Sequence, residues 1–209
     1  MHPDEAQRLF ALDDTLRAEA DRVLEASGIG AILAEEGYVP VGSRVMRTMT
    51  WRDMDFECYD PNPDWNRHWD VGTRLARTGW CCRLQGIDVY REQWMDYGYY
   101  WGVRVVDPAQ RSAPPGDPAV WKLDLWMARE EEFARGLGPR RRWAALMTEK
   151  ARADILSIKE IVCREPEYGR SVLSVHLYEA VLEHGVSDLA GFRRWWDEAK
   201  GRGGEAGSV

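Results

Sequence analysis

Nowhere does the chain hold the roughly 18 consecutive apolar residues of a membrane span, and no secretory signal opens it, so the expectation is a soluble cytoplasmic protein. Histidine is scarce. The four are scattered, and His176 and His184 lie too far apart to be ligands on adjacent helical turns, which argues against a histidine metal site. Cysteine is also sparse. Cys58, Cys81, Cys82 and Cys163 lack the spacing of a zinc site and read as free, buried thiols. Positive charge is in deficit: 28 Lys and Arg stand against 35 Asp and Glu, a net charge of −7. That balance argues against a general nucleic-acid binder. It suits a cationic small substrate or a solubility role equally well. No internal repeat or low-complexity stretch is visible.

What is present is an ordinary globular composition, 44% hydrophobic and 30% charged over 209 residues, enough for one domain or one domain with an appendage. Tryptophan is abundant at eleven residues. Most of these belong in a core, and any beside a cleft would offer a stacking surface to a base or ring.

The chemistry concentrates in carboxylates. Val41-Gly42-Ser43 is followed, after the spacer 44–52, by Asp53-Met54-Asp55-Phe56, and Asp124 sits later between Leu123 and Leu125. On a strand, alternate side chains share a face. Asp53, Asp55 and Glu57 therefore point one way, while Met54, Phe56 and Cys58 point toward a core. The same alternation puts Asp124 on a polar face. Adjacent carboxylates repel unless a cation lies between them. Carboxylate oxygens suit Mg²⁺, which binds through one or two carboxylates plus substrate phosphates. Three such groups can hold two ions roughly 3.5–4 Å apart for an in-line displacement. Gly42 lets backbone approach a phosphate, and Ser43 can donate a hydrogen bond to it. Asp-x-Asp on a strand also occurs as a plain solvated face, and Gly-Ser as a plain turn. Glu57 reads as polar surface or as a group orienting a substrate amine.

These residues resemble the nucleotidyltransferase superfamily related to DNA polymerase beta. Its pattern is an apolar residue, Gly, then Gly or Ser, a similar spacer, Asp-apolar-Asp/Glu-apolar, and a third carboxylate on a later strand. The likeness covers roughly residues 37–127 at motif level. It implies that Asp53 and Asp55 hold both metals, that Asp124 binds the catalytic metal and assists the attacking hydroxyl, and that Gly42 and Ser43 hold the triphosphate. It also implies a basic residue from a following helix at the phosphates. Lys150 and Lys159 are the candidates for that residue, and Arg44, directly after the Gly-Ser turn, is a further phosphate candidate, with a solvated helix face as the competing reading of each.

Hydrophobic periodicity gives the organisation. A helix is expected over 3–27, a short turn over 32–36, and strands over 38–41 and 51–59. Residues 45–50 read as a short helix or an extended spacer. Asp64 caps a helix to Arg77. Strands over 79–91 and 97–107 form an antiparallel hairpin turning at 92–96. Residues 108–118, with four Pro, form a loop, and a strand over 119–127 carries Asp124. One long helix is expected over 140–164, then helices over 171–183 and 188–200. The fold class is α/β (α+β): a nucleotidyltransferase-type mixed sheet flanked by helices, then a C-terminal helical bundle. Domain assignment is 1–130 catalytic, 131–200 helical and 201–209 a disordered tail.

The expected activity is Mg²⁺-dependent transfer of NMP from an NTP, ATP by expectation, to a hydroxyl, with release of pyrophosphate. No motif distinguishes ATP from other NTPs. Resemblance to small family members suggests a small-molecule acceptor of the antibiotic type. The alternatives are a protein side chain or tRNA end, as in toxin-like members, a nucleotide-binding regulatory module without turnover, or a structural protein.

Overall fold

The computed structural model describes residues 2–92, 98–110 and 120–203. The chain forms two compact units, Asp14–Pro139 and the combination of Met1–Asp13 with Arg140–Val209. The boundary therefore falls later than 130, and the first residues belong with the C-terminal helices.

The first unit is built on a sheet. Helix α1 (Pro3–Ala26) enters it at Asp14, and its stripe of Leu16, Ala20, Val23 and Leu24 is buried as the spacing requires. Where only a turn was expected, Ile29–Glu35 forms helix α2. Ile29 and Leu33, one helical turn apart, both bury, which favours helix over turn. Strand β1 (Tyr38–Val41) leads into α3 (Gly42–Met46), so the helix begins at the Gly-Ser pair itself. Then come β2 (Asp53–Tyr59), α4 (Trp65–Arg77), β3 (Cys81–Asp88), α5 (Val89–Glu92), β4 (Tyr99–Val106), β5 (Val120–Ala128) and α6 (Glu130–Leu146). Asp64 caps α4 as expected, accepting from the Arg67 N–H at 2.9 Å. Strands β3 and β4 pair antiparallel. Residues 93–96 of the expected hairpin turn, and residue 97 after it, lie outside the described ones, as does most of the proline-rich loop beyond Pro108–Gln110.

Strand order is β1-β2-β5-β4-β3. Strands β2 and β5 run parallel, and every other pair is antiparallel, so the sheet is mixed, in keeping with the α/β class. One face is apolar: Met54, Phe56, Cys58, Trp101, Val103, Val105, Leu123, Leu125 and Met127 are all buried. Each large side chain here contributes about 1.5–3 kcal/mol by leaving water. Helix α4 packs on this sheet through Gly72. The Trp101 indole fills the space a Cβ would need at Gly72, 2.2 Å away, and at Gly86, 2.7 Å away. Its Nε1–H donates to the His68 carbonyl at 2.7 Å. The opposite face keeps alternate residues, among them Asp53, Asp55, Lys122 and Asp124, half-buried.

The second unit is helical. The single helix expected over 140–164 is interrupted: α6 ends at Leu146 and α7 spans Glu149–Val162. Thr148 is the cause. Its backbone is extended (φ −99, ψ 165) and its hydroxyl accepts from the Ala151 N–H at 3.1 Å, starting a new helix. Helices α8 (Ser174–His184) and α9 (Leu189–Gly203) follow, and residues 204–209 lie outside the described ones. Ile155, Leu156, Ile158, Val162, Leu177, Tyr178 and Phe192 are buried, and Arg152 meets the buried Asp13 at 2.8 Å. No described helix is long and apolar enough to cross a membrane.

Candidate functional site

Strand register decides which polar residues meet. Asp55 pairs directly with Asp124 across the parallel β2/β5 ladder, and Asp53 pairs with Lys122. Neighbouring strands stand about 4.8 Å apart, so Asp55 and Asp124 are side by side on one face, with Asp53 two residues along. The three carboxylates singled out by the sequence thus occupy one patch of the sheet. Sequence alternation alone relates Asp53 to Asp55. Asp124 reaches them because β5 inserts between β2 and β4.

Gly42 closes on the same patch. Val41 pairs with Asp55, and the chain then turns into α3. Gly42 has φ +65, in the left-handed region, and a Cβ there would lie 2.3 Å from Asp55 Oδ2. Only glycine allows this turn and this closeness together. Ser43 follows, 4% exposed, at the first turn of α3. Arg44 reaches back to α1 and pairs with Asp21.

A cation already stands between two of the acids. Lys122 Nζ is 3.1 Å from Asp53 Oδ1 and 2.5 Å from Asp124 Oδ2. Burial alone would lower its pKa. The charges of Asp53 and Asp124, with Asp55 beyond, outweigh burial and raise it, so the ammonium stays charged. Its Nζ also lies 5.5 Å from the centre of the Trp51 ring. Tyr100 donates its hydroxyl to Asp124 Oδ1 at 2.7 Å. Burial and the adjacent Asp124 charge raise the Tyr100 pKa, which keeps it a donor. Its ring reaches Asp124 by lying over Gly102, where a Cβ would come within 2.8 Å of the hydroxyl. Tyr100 also packs on Trp126, with ring centroids 4.8 Å apart. Glu57, buried at 3% exposure, accepts from the Tyr59 hydroxyl at 2.8 Å.

Among the described residues, no group of three or more His, Cys, Asp or Glu side chains converges as a ready-made metal cage. The donor set nevertheless suits Mg²⁺: three half-buried carboxylates share one face, and the Lys122 ammonium serves as a stand-in for a cation between two of them. Asp53, Asp55 and Asp124 would hold such an ion, with Lys122 giving way.

The remaining sequence candidates, Lys150 and Lys159, belong to the helical unit. Lys150 pairs with Asp154 at 2.5 Å, and Lys159 is 1% exposed. The sequence reading assigned no role to Lys122, Tyr100 or Trp126. Lys122 was legible, since alternation puts it on the Asp124 face. Tyr100 was not, because its place follows from the β4/β5 register.

No protein-family model matches this chain, and no curated protein matches it. A solved structure described as that of a GLD-2/RNP-8 complex aligns over 87% of this chain and 59% of that chain, at 16% identity and a TM-score of 0.40. The chain thus spans less than two thirds of that one. A likeness this distant decides nothing about activity, and it is the residues on the sheet that carry the functional reading.

Proposed function

We propose that the chain is a Mg²⁺-dependent nucleotidyltransferase, moving NMP from an NTP to an acceptor hydroxyl. The observation that carries this reading is the in-register placement of Asp55 and Asp124 on β2 and β5, with Asp53 on the same face. Nothing about packing calls for three acids on one face. They repel one another, and Lys122 contacts two of them.

In the proposed reaction the acceptor oxygen attacks the α-phosphorus. The new P–O bond forms as the α–β phosphoanhydride bond breaks, and pyrophosphate leaves with the electron pair. The hydroxyl proton passes to Asp124 or to solvent. When bound, two Mg²⁺ ions neutralise the phosphate oxygens and align attack in line with the leaving group. Asp53 and Asp55 would anchor the nucleotide end. Gly42 brings backbone close to that end, and the Ser43 hydroxyl donates to a phosphate oxygen. Within the sheet unit, Arg44 is the candidate triphosphate cation. Tyr100 holds one oxygen of Asp124 and sets the orientation of its carboxylate, while Lys122, which holds the other in the metal-free chain, would give way to the ion.

The test is pyrophosphate release from a panel of NTPs with Mg²⁺ and hydroxyl acceptors, comparing wild type with Asp55→Asn. Loss of about 10²-fold or more in the variant supports the reading, given the size of electrostatic contributions to such transfers. Equal rates would remove Asp55 from the chemistry.

A further inference from the structure

We propose that Arg83 and Arg104 form an anion subsite for the acceptor, so that the acceptor is a small molecule bearing a phosphate group. The inference rests on the nucleotidyltransferase reading and adds the substrate class.

The two arginines are a cross-strand pair. Arg83 on β3 stands opposite Arg104 on β4, and Arg104 in turn stands opposite Lys122 on β5. All three share the carboxylate face. Like charges directly opposite on a sheet are destabilising. Lys122 is neutralised by Asp53 and Asp124. Among the described residues, no side chain forms an ion pair or hydrogen bond with either guanidinium. Most arginines elsewhere in the chain do have a carboxylate, as Arg22 has Asp107 and Arg52 has Glu19. The pair is therefore a double cation without a direct carboxylate partner among the described residues, Arg83 exposed and Arg104 half-buried, beside the site.

The fold goes out of its way to make this pair. Strand β3 slips register between Cys81 and Arg83: Cys81 opposes Val105, and Arg83 opposes Arg104, the next residue of β4. The extra residue is Cys82. Without this bulge Arg83 would point to the apolar face. Bulges recur beside active sites because they re-aim one side chain in this way.

Position says which reactant the pair serves. In the order β1-β2-β5-β4-β3 the acids lie on the inner strands β2 and β5. The Gly42-Ser43 turn lies on the β1 side of them, and the arginines lie on the β4-β3 side. Phosphates held at the turn leave the arginines to the other reactant. A guanidinium fork takes a phosphate by two parallel hydrogen bonds. Two forks suit one phosphate monoester. A nucleic-acid strand would need a longer cationic track, which a chain of net charge −7 does not favour.

The test uses the full chain with the triphosphate site filled by Mg²⁺ and a non-hydrolysable NTP. Calorimetry then measures binding of ribose 5-phosphate, of ribose, and of a ten-nucleotide RNA, to wild type and to Arg83→Gln/Arg104→Gln. Circular dichroism checks that the variant is folded, and Arg104→Lys supplies a milder change that keeps the charge. The expected result is ribose 5-phosphate binding that weakens about tenfold or more in the double variant, the size of one lost charge-assisted hydrogen bond. NTP affinity should not change, and ribose should bind poorly to both proteins. Equal ribose 5-phosphate affinity in wild type and double variant would overturn the subsite. So would a parallel fall in NTP affinity, which would give the arginines to the triphosphate. Arginine-dependent binding of the RNA but not of ribose 5-phosphate would overturn the small acceptor in favour of a nucleic-acid end. Arginine-dependent binding of ribose 5-phosphate by a wild type that takes no NTP would uphold the subsite and remove the nucleotidyl-transfer reading.

Discussion

Replacing Lys122 with Met should destabilise the metal-free protein and increase its response to Mg²⁺. The ammonium sits 3.1 Å from Asp53 and 2.5 Å from Asp124, and the three side chains are 24%, 15% and 16% exposed. At an effective dielectric constant near 20, each contact is worth about 5–7 kcal/mol of attraction before desolvation is subtracted. Removing one partner of a fully buried pair costs about 3–5 kcal/mol, since it strands the other charge. The residual exposure here lowers that to about 2–3 kcal/mol. For a chain of this size the loss corresponds to roughly 5–10 °C in Tm. Methionine matches the side chain as far as Cε, so the change is chiefly one of charge. Without the ammonium the three carboxylates should take Mg²⁺ more tightly than wild type does, and the ion should restore the lost stability. The assay is thermal unfolding in chelator and across a Mg²⁺ titration. A variant that melts within about 1 °C of wild type in chelator, with the same Mg²⁺ response, would refute the view of Lys122 as an internal counter-cation.

Gly42→Ala should cost about 1–2 kcal/mol from its left-handed backbone alone. Its Cβ, 2.3 Å from Asp55 Oδ2, should also turn that carboxylate aside, so pyrophosphate release falls further than the melting temperature suggests. Gly72→Ala should destabilise by about 2–3 kcal/mol through overpacking, because Trp101 is held between Gly72 and Gly86 and tied to His68. Urea unfolding followed by tryptophan fluorescence reads that loss. His68 is fully buried beside Tyr38, Trp65, Tyr99 and Trp101, and burial lowers its pKa from 6.5 to about 4. Between those values the unfolded chain binds a proton that the folded one refuses. Stability is thus fully present above pH 6.5 and falls by about 1.4 kcal/mol per unit down to pH 4, where the loss levels off. Chemical denaturation at stepped pH, with His68→Gln lacking this component, checks it.

Much of the site was legible before any coordinates, because strand alternation is a local rule. Met54, Phe56, Leu123 and Leu125 bury and Asp53, Asp55 and Asp124 do not, as their spacing requires. The Asp64 cap was legible for the same reason. What eluded the sequence was non-local or a close competition. Thr148 splits the helix expected over 140–164 because a hydroxyl cap there competes with helix continuation, and apolar periodicity runs through the break unchanged. The contacts of Tyr100 and the Arg83–Arg104 pair depend on strand order and on a one-residue bulge at Cys82, neither of which leaves a periodic signal.

In the proposed enzyme, Asp53, Asp55 and Asp124 form one divalent-cation site that a nucleotide completes. Titrating Mn²⁺ as a Mg²⁺ substitute, with a non-hydrolysable NTP present and free ion read by electron paramagnetic resonance, tests this most directly. Two bound ions are expected in wild type, with a loss of at least about tenfold in affinity in Asp55→Asn and in Asp124→Asn alike, since both feed one site. Mn²⁺ binding that is absent from wild type, or unchanged by either substitution, would contradict it.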